Sequence, residues 1–427
     1  MEKEVLAGII FVGMYALIVS EKIHRTVLAM LGAILMVFMG ILTQEQALQH
    51  VDFNTLGLLI GMMILVAITS RTGLFNYVAV WAAKKAKAEP LRLLVYLAFI
   101  TAGCSALLDN VTTVLLMVPV TFGITRKLQV DAMPYLLVQI MASNIGGTAT
   151  LIGDPPNIMI GSAVPELTFA AFIENLAIIA GINMVVVVAA FAVFYRKNLH
   201  TRPALQAVVM AQDERAEIKD WRLLKKCLLV LSVVILLFFL HSFTGVESSL
   251  VALAGAFVLL LITGQKQAFV EQAMRGVEWT TIFFFIGLFV AVGGLVETGL
   301  IRDLAMRAMA VTGGDVTSTS LLVLWLSAIV SAFLDNIPFV ATMIPLIQDM
   351  GSMGVANLTP VWWSLALGAC LGGNGTIIGA SANLIVAGLA AEQGLKISFV
   401  RYFKVGFPLM LVTIMLSTLY VYCRYLG

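Results

Sequence analysis

SALLDNVTTVLLMVP, residues Ser105–Pro119, sets a carboxylate beside a carboxamide, Asp109-Asn110, in the middle of apolar sequence. SAFLDNIPFVATMIP, residues Ser331–Pro345, does the same, and the two stretches keep Met and Pro in register as well. Aligning Asp109 on Asp335 gives an offset of 226 residues. That offset also lays NIGGTATLIGDPPN (Asn144–Asn157) on CLGGNGTIIGASAN (Cys370–Asn383), matching Gly146, Gly147, Thr150, Gly153 and Asn157. Farther upstream it lays VDFNTLGLLIG (Val51–Gly61) on VEWTTIFFFIG (Val277–Gly287), and Thr72-Gly73-Leu74 on Thr298-Gly299-Leu300. A single offset held over more than 100 residues marks a duplicated unit.

The chain has 427 residues, 60% hydrophobic and 12% charged, with a mean hydropathy of +1.00. A soluble domain carries about 25% charged residues, so this composition is that of an integral membrane protein. Apolar runs near 20 residues recur throughout, the length that crosses about 30 Å of hydrocarbon as a helix. Period-2 patterning is absent, so helices must satisfy the backbone. The expected spans are roughly 5–20, 24–42, 53–70, 134–163 and 174–196, then 223–242, 246–263, 278–297, 361–391 and 403–424. Two apolar segments, 93–125 and 319–349, are too long for one span, and each is interrupted by Asp-Asn at its middle. They read as re-entrant hairpins that enter and leave on the same side, the alternative being two ordinary spans each.

Placing the N-terminus outside puts 22 of the 26 basic residues on the inside and leaves Lys3, Arg302, Arg307 and Arg424 outside. That asymmetry is what the positive-inside rule requires. The polar stretch from His200 to Trp221 becomes a cytoplasmic linker, and both termini lie outside the plasma (bacterial-type inner) membrane. MEKEVLAG lacks a basic n-region and reads as a first span, not a removed signal. The expected organisation is an all-α polytopic protein with a first repeat at 1–198, a linker at 199–222 and a second repeat at 223–427. Each repeat holds five transmembrane helices and one re-entrant hairpin. Five is odd, so the second copy sits upside down, the arrangement of secondary transporters whose broken helices meet near the midplane.

Charged groups inside the bilayer are expensive and default to function. Asp109, Asp154 and Asp335 all lie deep in apolar sequence. Asp109 and Asp335 stand at the hairpin breaks, where a structural role as helix caps is the plain alternative. Carboxylate, carboxamide and freed carbonyls are hard oxygen ligands that suit Na⁺, and a buried Asp equally suits a proton. A continuous helix would not tolerate Asp154-Pro155-Pro156, so the chain is expected to unwind near Gly153–Pro156. The second copy loses both prolines and the Asp and gains Asn374, so the half-sites are unequal. The coupling ion is H⁺ or Na⁺, with Asp154 its strongest single candidate.

Other groups offer less. His24, His50, His200 and His241 fall at span ends, and Glu166, Glu247 and Glu297 at loops or boundaries. Cys104 and Cys370 lie near a hairpin and a broken helix but read as small buried residues, and the four cysteines show no disulfide or zinc spacing. No nucleotide-binding loop, metal-hydrolase motif or nucleophile arrangement is present, so no cofactor and no enzymatic activity are expected. A net charge of +2 gives no reason to expect nucleic acid.

LLDNVTTVLLMVPVT, NIGGTATLIGDPPNIMI and FLDNIPFVATMIP resemble the ion transporter superfamily, in its ArsB/NhaD group. The chain is most similar to the branch of the pigmentation P protein and arsenical-pump membrane proteins. The resemblance covers nearly the whole chain. It implies an inverted-repeat fold, a homodimer in the lipid bilayer and elevator-like alternating access, with a soluble ATPase partner as in arsenical pumps. By analogy it places ion sites at Asp109, Asn110, Asn144, Thr148 and Asp154 in one half and at Asp335, Asn336, Asn374 and Thr376 in the other. The repeat adds Asn157 and Asn383, and Na⁺ would sit at Asp109, Asn110, Asn144 and Asp154. The leading expectation is proton-coupled efflux of arsenite, antimonite or a similar small inorganic species. The alternatives are sodium–proton antiport, an anion conductance of the P-protein type and an organic-anion carrier. The Ser-Asn-Thr signature of dicarboxylate carriers is missing at both hairpin tips.

Asp109→Asn and Asp335→Asn are each expected to abolish transport while leaving the protein folded. Full activity in both variants would remove the two tips from the site.

Overall fold

The structure is a computed structural model, and it describes residues 2–20, 22–240, 245–264, 267–355 and 357–427. His241 and Lys266 lie outside the described residues. The described residues are helical, joined by turns, with no strand among them. Among the described residues, seven helices are long and apolar enough to cross a membrane: Phe53–Ser70, Pro90–Leu107, Asn110–Leu128, Phe169–Tyr195, Trp279–Glu297, Val316–Phe333 and Phe399–Leu426. Arg25–Phe38, Ser248–Thr263 and Ser381–Glu392 are shorter apolar helices. Glu2–Val19 and Trp221–Phe239 fill the expected spans 5–20 and 223–242, and Met133–Thr148 with Pro155–Ala163, and Thr359–Gly372 with Ser381–Glu392, fill 134–163 and 361–391.

The element boundaries carry the sequence offset. Helices begin at Pro90 and Val316, at Asn110 and Asn336, at Met133 and Thr359, and at Pro155 and Ser381, each pair 226 residues apart. The sequence did not foretell the short helices Gln44–Gln49, Leu74–Lys85, Gln267–Met274 and Leu300–Thr312. They are too short or too polar to register as spans. Two of them open at glycines in the left-handed region, Gly73 at φ 86° and Gly299 at φ 84°, a conformation glycine adopts without steric cost.

The two sequence halves do not form two bodies. Phe53–Ser70 packs on Ser248–Thr263 of the other half, and Trp279–Glu297 packs on Arg25–Phe38. Glycines make both approaches close. A Cβ on Gly61 would stand 2.6 Å from the Ala252 carbonyl carbon, and one on Gly287 would stand 2.5 Å from that of Ala29. These helices form a frame. Beside it lies a second group made of both hairpins, both broken helices and the helices Ile178–Tyr195 and Phe399–Val421.

Each hairpin leans on its own broken helix. Pro90–Leu107 packs along Met133–Thr148, and Val316–Phe333 packs along Thr359–Gly372. Ser105 Oγ donates to the Ser143 carbonyl at 2.6 Å, and Ser331 Oγ donates to that of Ala369 at 2.7 Å. The glycine-rich stretches are explained here: a Cβ on Gly146 would meet the Ala102 carbonyl oxygen at 2.2 Å, and one on Gly372 the Ala328 oxygen at 2.5 Å. Small residues that let helix backbones touch are how membrane helices associate.

The linker is not free. It contains a helix, Pro203–Met210, and Lys219 N donates to the Thr72 carbonyl at 2.8 Å. Lys84 pairs with Glu214, tying the linker to Leu74–Lys85.

Gly146→Val should destabilise the fold by roughly 1–3 kcal/mol, the usual cost of overpacking, read as a lower melting temperature in detergent. Gly103→Val, at a helical glycine with nothing within 4 Å of its Cβ position, should melt with the wild type.

Candidate functional site

The site grows from two interrupted helices. Met133–Thr148 stops, residues 149–154 form a turn and bends, and Pro155–Ala163 resumes. The unwound stretch thus begins at Ala149, upstream of the Gly153–Pro156 region where unwinding was expected, and overlaps it. Pro155 and Pro156 occupy the first turn of the second half-helix, where a missing N–H costs nothing. In the other half Thr359–Gly372 stops and Ser381–Glu392 resumes.

One asparagine staples each break. Asn157 Nδ2 donates to the carbonyls of Thr150 at 2.9 Å, Thr148 at 3.2 Å and Gly147 at 3.4 Å. Asn383 Nδ2 donates to those of Gly373 at 2.7 Å and Thr376 at 2.9 Å. The side-chain oxygens of both reach across. Asn383 Oδ1 accepts from Asn144 Nδ2 at 3.0 Å, and Asn157 Oδ1 accepts from the Cys370 thiol at 3.4 Å. Asn144 and Cys370 are counterparts at the 226-residue offset, so the two cross-contacts are reciprocal, the signature of a local two-fold relation.

The hairpin tips meet these breaks. Asn110 Nδ2 donates to Asn144 Oδ1 at 3.1 Å, and Asn144 Nδ2 donates also to Asn374 Oδ1 at 3.0 Å. Asn336, at the other tip, directs its amide to both Asp154 oxygens at 3.4 Å. Asn110 Oδ1 and Asn374 Nδ2 are buried without a protein partner. Asp154 is 0% exposed and forms no ion pair among the described residues. The Cys370 thiol also lies beside Asp154.

Seven of the residues singled out by sequence thus gather at the breaks: Asn110, Asn144, Asp154, Asn157, Asn336, Asn374 and Asn383. The others turn elsewhere. Asp109 caps Asn110–Leu128, its two oxygens accepting from Thr112 N at 2.7 Å and Thr112 Oγ1 at 2.5 Å. Thr148 Oγ1 donates to the Asn144 carbonyl within its own helix, and Thr376 Oγ1 to the Ala332 carbonyl at 2.5 Å. Asp335 accepts from Arg25 Nη1 at 2.6 Å and from Ser381 Oγ at 2.7 Å. Cys104 is half-buried on a hairpin arm, and no cluster of three His, Cys, Asp or Glu side chains is found among the described residues.

Sequence reasoning missed Arg25 and Ser381. Arg25 opens a frame helix directly after a basic turn and was counted with the inside loops. Ser381 replaces the proline of the first copy, and only the hairpin beside it gives it a role. The pair Asp52 and Ser162, joined at 2.9 Å where the frame meets the end of the first broken helix, was also missed.

A family model described as a citrate transporter, CitMHS, matches residues 15–368. An uncharacterized transporter of Mycobacterium bovis is 40% identical over 427 residues, covering 99% of this chain and 98% of its own length. A 46 kDa membrane protein of Mycobacterium leprae is also 40% identical, over 99% of both chains. The human P protein is 35% identical across 97% of this chain, which spans 59% of that longer protein. Among solved structures, the YdaH transporter of Alcanivorax borkumensis, described as having an unusual topology, shares the fold at a TM-score of 0.57. It is 15% identical and covers 88% of this chain and 86% of its own. The chain belongs to the CitMHS citrate transporter family of the ion transporter superfamily and is a multi-pass membrane transporter.

Proposed function

We propose that the chain is a secondary active transporter in which a cation held at Asp154 drives a small anion across the membrane by alternating access. The observation that carries this is Asp154 itself. An ionised carboxylate taken out of water without a partner costs several kcal/mol. Asp154 is fully buried, its protein partners are an amide and a thiol, and no basic side chain offsets it. A proton or a Na⁺ supplies the missing charge. Unwound backbone at 149–154 and the unpartnered Asn110 oxygen are the kind of hard donors that hold coupling ions in broken-helix transporters.

The reciprocal contacts of the two halves support inverted repeats. Hairpin 90–128 then enters from the cytoplasm and hairpin 316–352 from outside, and the linker at 199–222 is cytoplasmic. The hairpins and broken helices form the moving body and the frame helices the fixed one, in an elevator-like motion. Arsenite or antimonite efflux would use the neutral hydroxide as substrate. Cys370 is the one cysteine at the breaks, whereas a thiolate-bound As(III) needs more than one.

Reconstitution with a pH-sensitive dye inside tests the coupling. With a proton or Na⁺ gradient imposed, wild type should move a substrate from a panel of arsenite, citrate and monocarboxylates, and Asp154→Asn should fall to background while remaining monodisperse. Wild-type flux in Asp154→Asn would overturn the proposal. For the topology, green fluorescent protein fused after Gly427 should stay dark and alkaline phosphatase fused there should be active. The opposite pattern would place the C-terminus inside.

A further inference from the structure

Away from the breaks, the Arg25–Asp335 pair stands at the foot of a cavity of about 300 Å³ between the first helical turn-around and the second hairpin. Its walls are Ile18, Val19, Phe333, Leu334, Ile378 and Ile385, with His24, Ser381 and Leu384 also lining it. The volume suits a small organic ligand, and the lining is largely apolar with four polar side chains at one end, His24, Arg25, Asp335 and Ser381.

The polar group is set up for an anion. Arg25 Nη1 spends both its protons, one on Asp335 Oδ2 and one on Ser381 Oγ, each at 2.6 Å. The Phe284 ring lies 4.9 Å from the guanidinium carbon and holds its plane. Nε and Nη2 have no protein partner among the described residues, and the side chain keeps 26% exposure. A guanidinium edge of that kind matches a carboxylate with two parallel hydrogen bonds. The Phe284 ring and the Asp335–Ser381 anchor fix the edge before any ligand arrives, which lowers the ordering cost of binding.

We propose that this cavity binds a small water-soluble monocarboxylate with an apolar body, its carboxylate on the free edge of Arg25 and its body against the aliphatic walls. The proposal names the anion class that the transporter proposed above receives at the contact between its frame and its moving body, and it rests on that reading. The free edge of Arg25 serves one carboxylate, and the Asp335 carboxylate in the same lining repels the second and third carboxylates of a citrate. The charge balance also links the two sites. Arg25 and Asp335 are neutral as a pair, so an anion entering leaves one uncompensated negative charge. Asp335 and Asp154 lie within each other's field. The cation at Asp154 therefore offsets the charge that the anion brings.

The test is binding, measured on the purified full chain in detergent without any gradient. Benzoate and octanoate should raise the melting temperature and bind saturably by calorimetry, and citrate should do neither. The charge-neutral double variant Arg25→Gln/Asp335→Asn, which leaves no ion unpaired, should bind benzoate about tenfold or more weakly. Ile385→Trp, which fills the cavity and keeps Arg25, should do the same. Undiminished benzoate binding in both variants would overturn the proposal, as would citrate binding as tightly as benzoate, or palmitate binding alone. A wild type that transports in liposomes but binds no monocarboxylate overturns this assignment and leaves the transporter reading standing. Monocarboxylate binding without transport does the reverse.

Discussion

A backbone that leaves its helix inside a bilayer finds no water to bond to, and each unpaired peptide group there costs several kcal/mol. The structure depends on how that constraint is met at residues 149–154 and 373–380. Asn157 and Asn383 turn their amide nitrogens back onto the freed carbonyls, with two or three bonds each. Because those nitrogens are occupied, the side-chain oxygens are free to face the opposite half. The glycines follow from the same need. Gly153 and Gly379 lie where a Cβ would meet backbone carbonyl oxygen at 2.6 Å and 2.7 Å, so the unwound chain can lie flat against its own helix and hairpin.

On that shared skeleton the halves have diverged in chemistry. Asp154 corresponds to Ala380, Pro155 to Ser381, Thr148 to Asn374 and Asn144 to Cys370. One break keeps a carboxylate and begins its second half-helix with proline. The other discards the carboxylate and begins with a serine that steadies an arginine. A strictly symmetric centre would hold two buried acids facing each other, which repel. The divergence leaves one buried acid at the first break and one arginine beside the second, with the tip of hairpin 316–352 touching both.

Much of this was legible in the sequence. A carboxylate and carboxamide repeated at a fixed offset announced the duplication, and Asp-Pro-Pro in an apolar segment announced a break. The break was expected near Gly153–Pro156 and runs from Ala149 to Asp154, because Pro155 and Pro156 start the second half-helix. The interleaving of the frame was not readable, because order along a chain does not say that Phe53–Ser70 packs on Ser248–Thr263. Asp109 and Asp335 looked alike and proved different. One turns back to Thr112 and the other reaches Arg25, 310 residues away in sequence. No local pattern carries information across that distance.

The stapled breaks bear on kinetics. A helix interrupted by six or more residues would ordinarily act as a hinge, but each interruption here is clamped by its own asparagine and by a hairpin arm. The clamped group touches the frame through few polar contacts, chiefly Arg25 with Asp335 and Ser381 at one level and Asp52 with Ser162 at the other. In the elevator-like motion proposed above both contacts would have to open, so substitutions at Asp52 or Ser162, remote from the breaks, would change the speed of the cycle without changing what is carried.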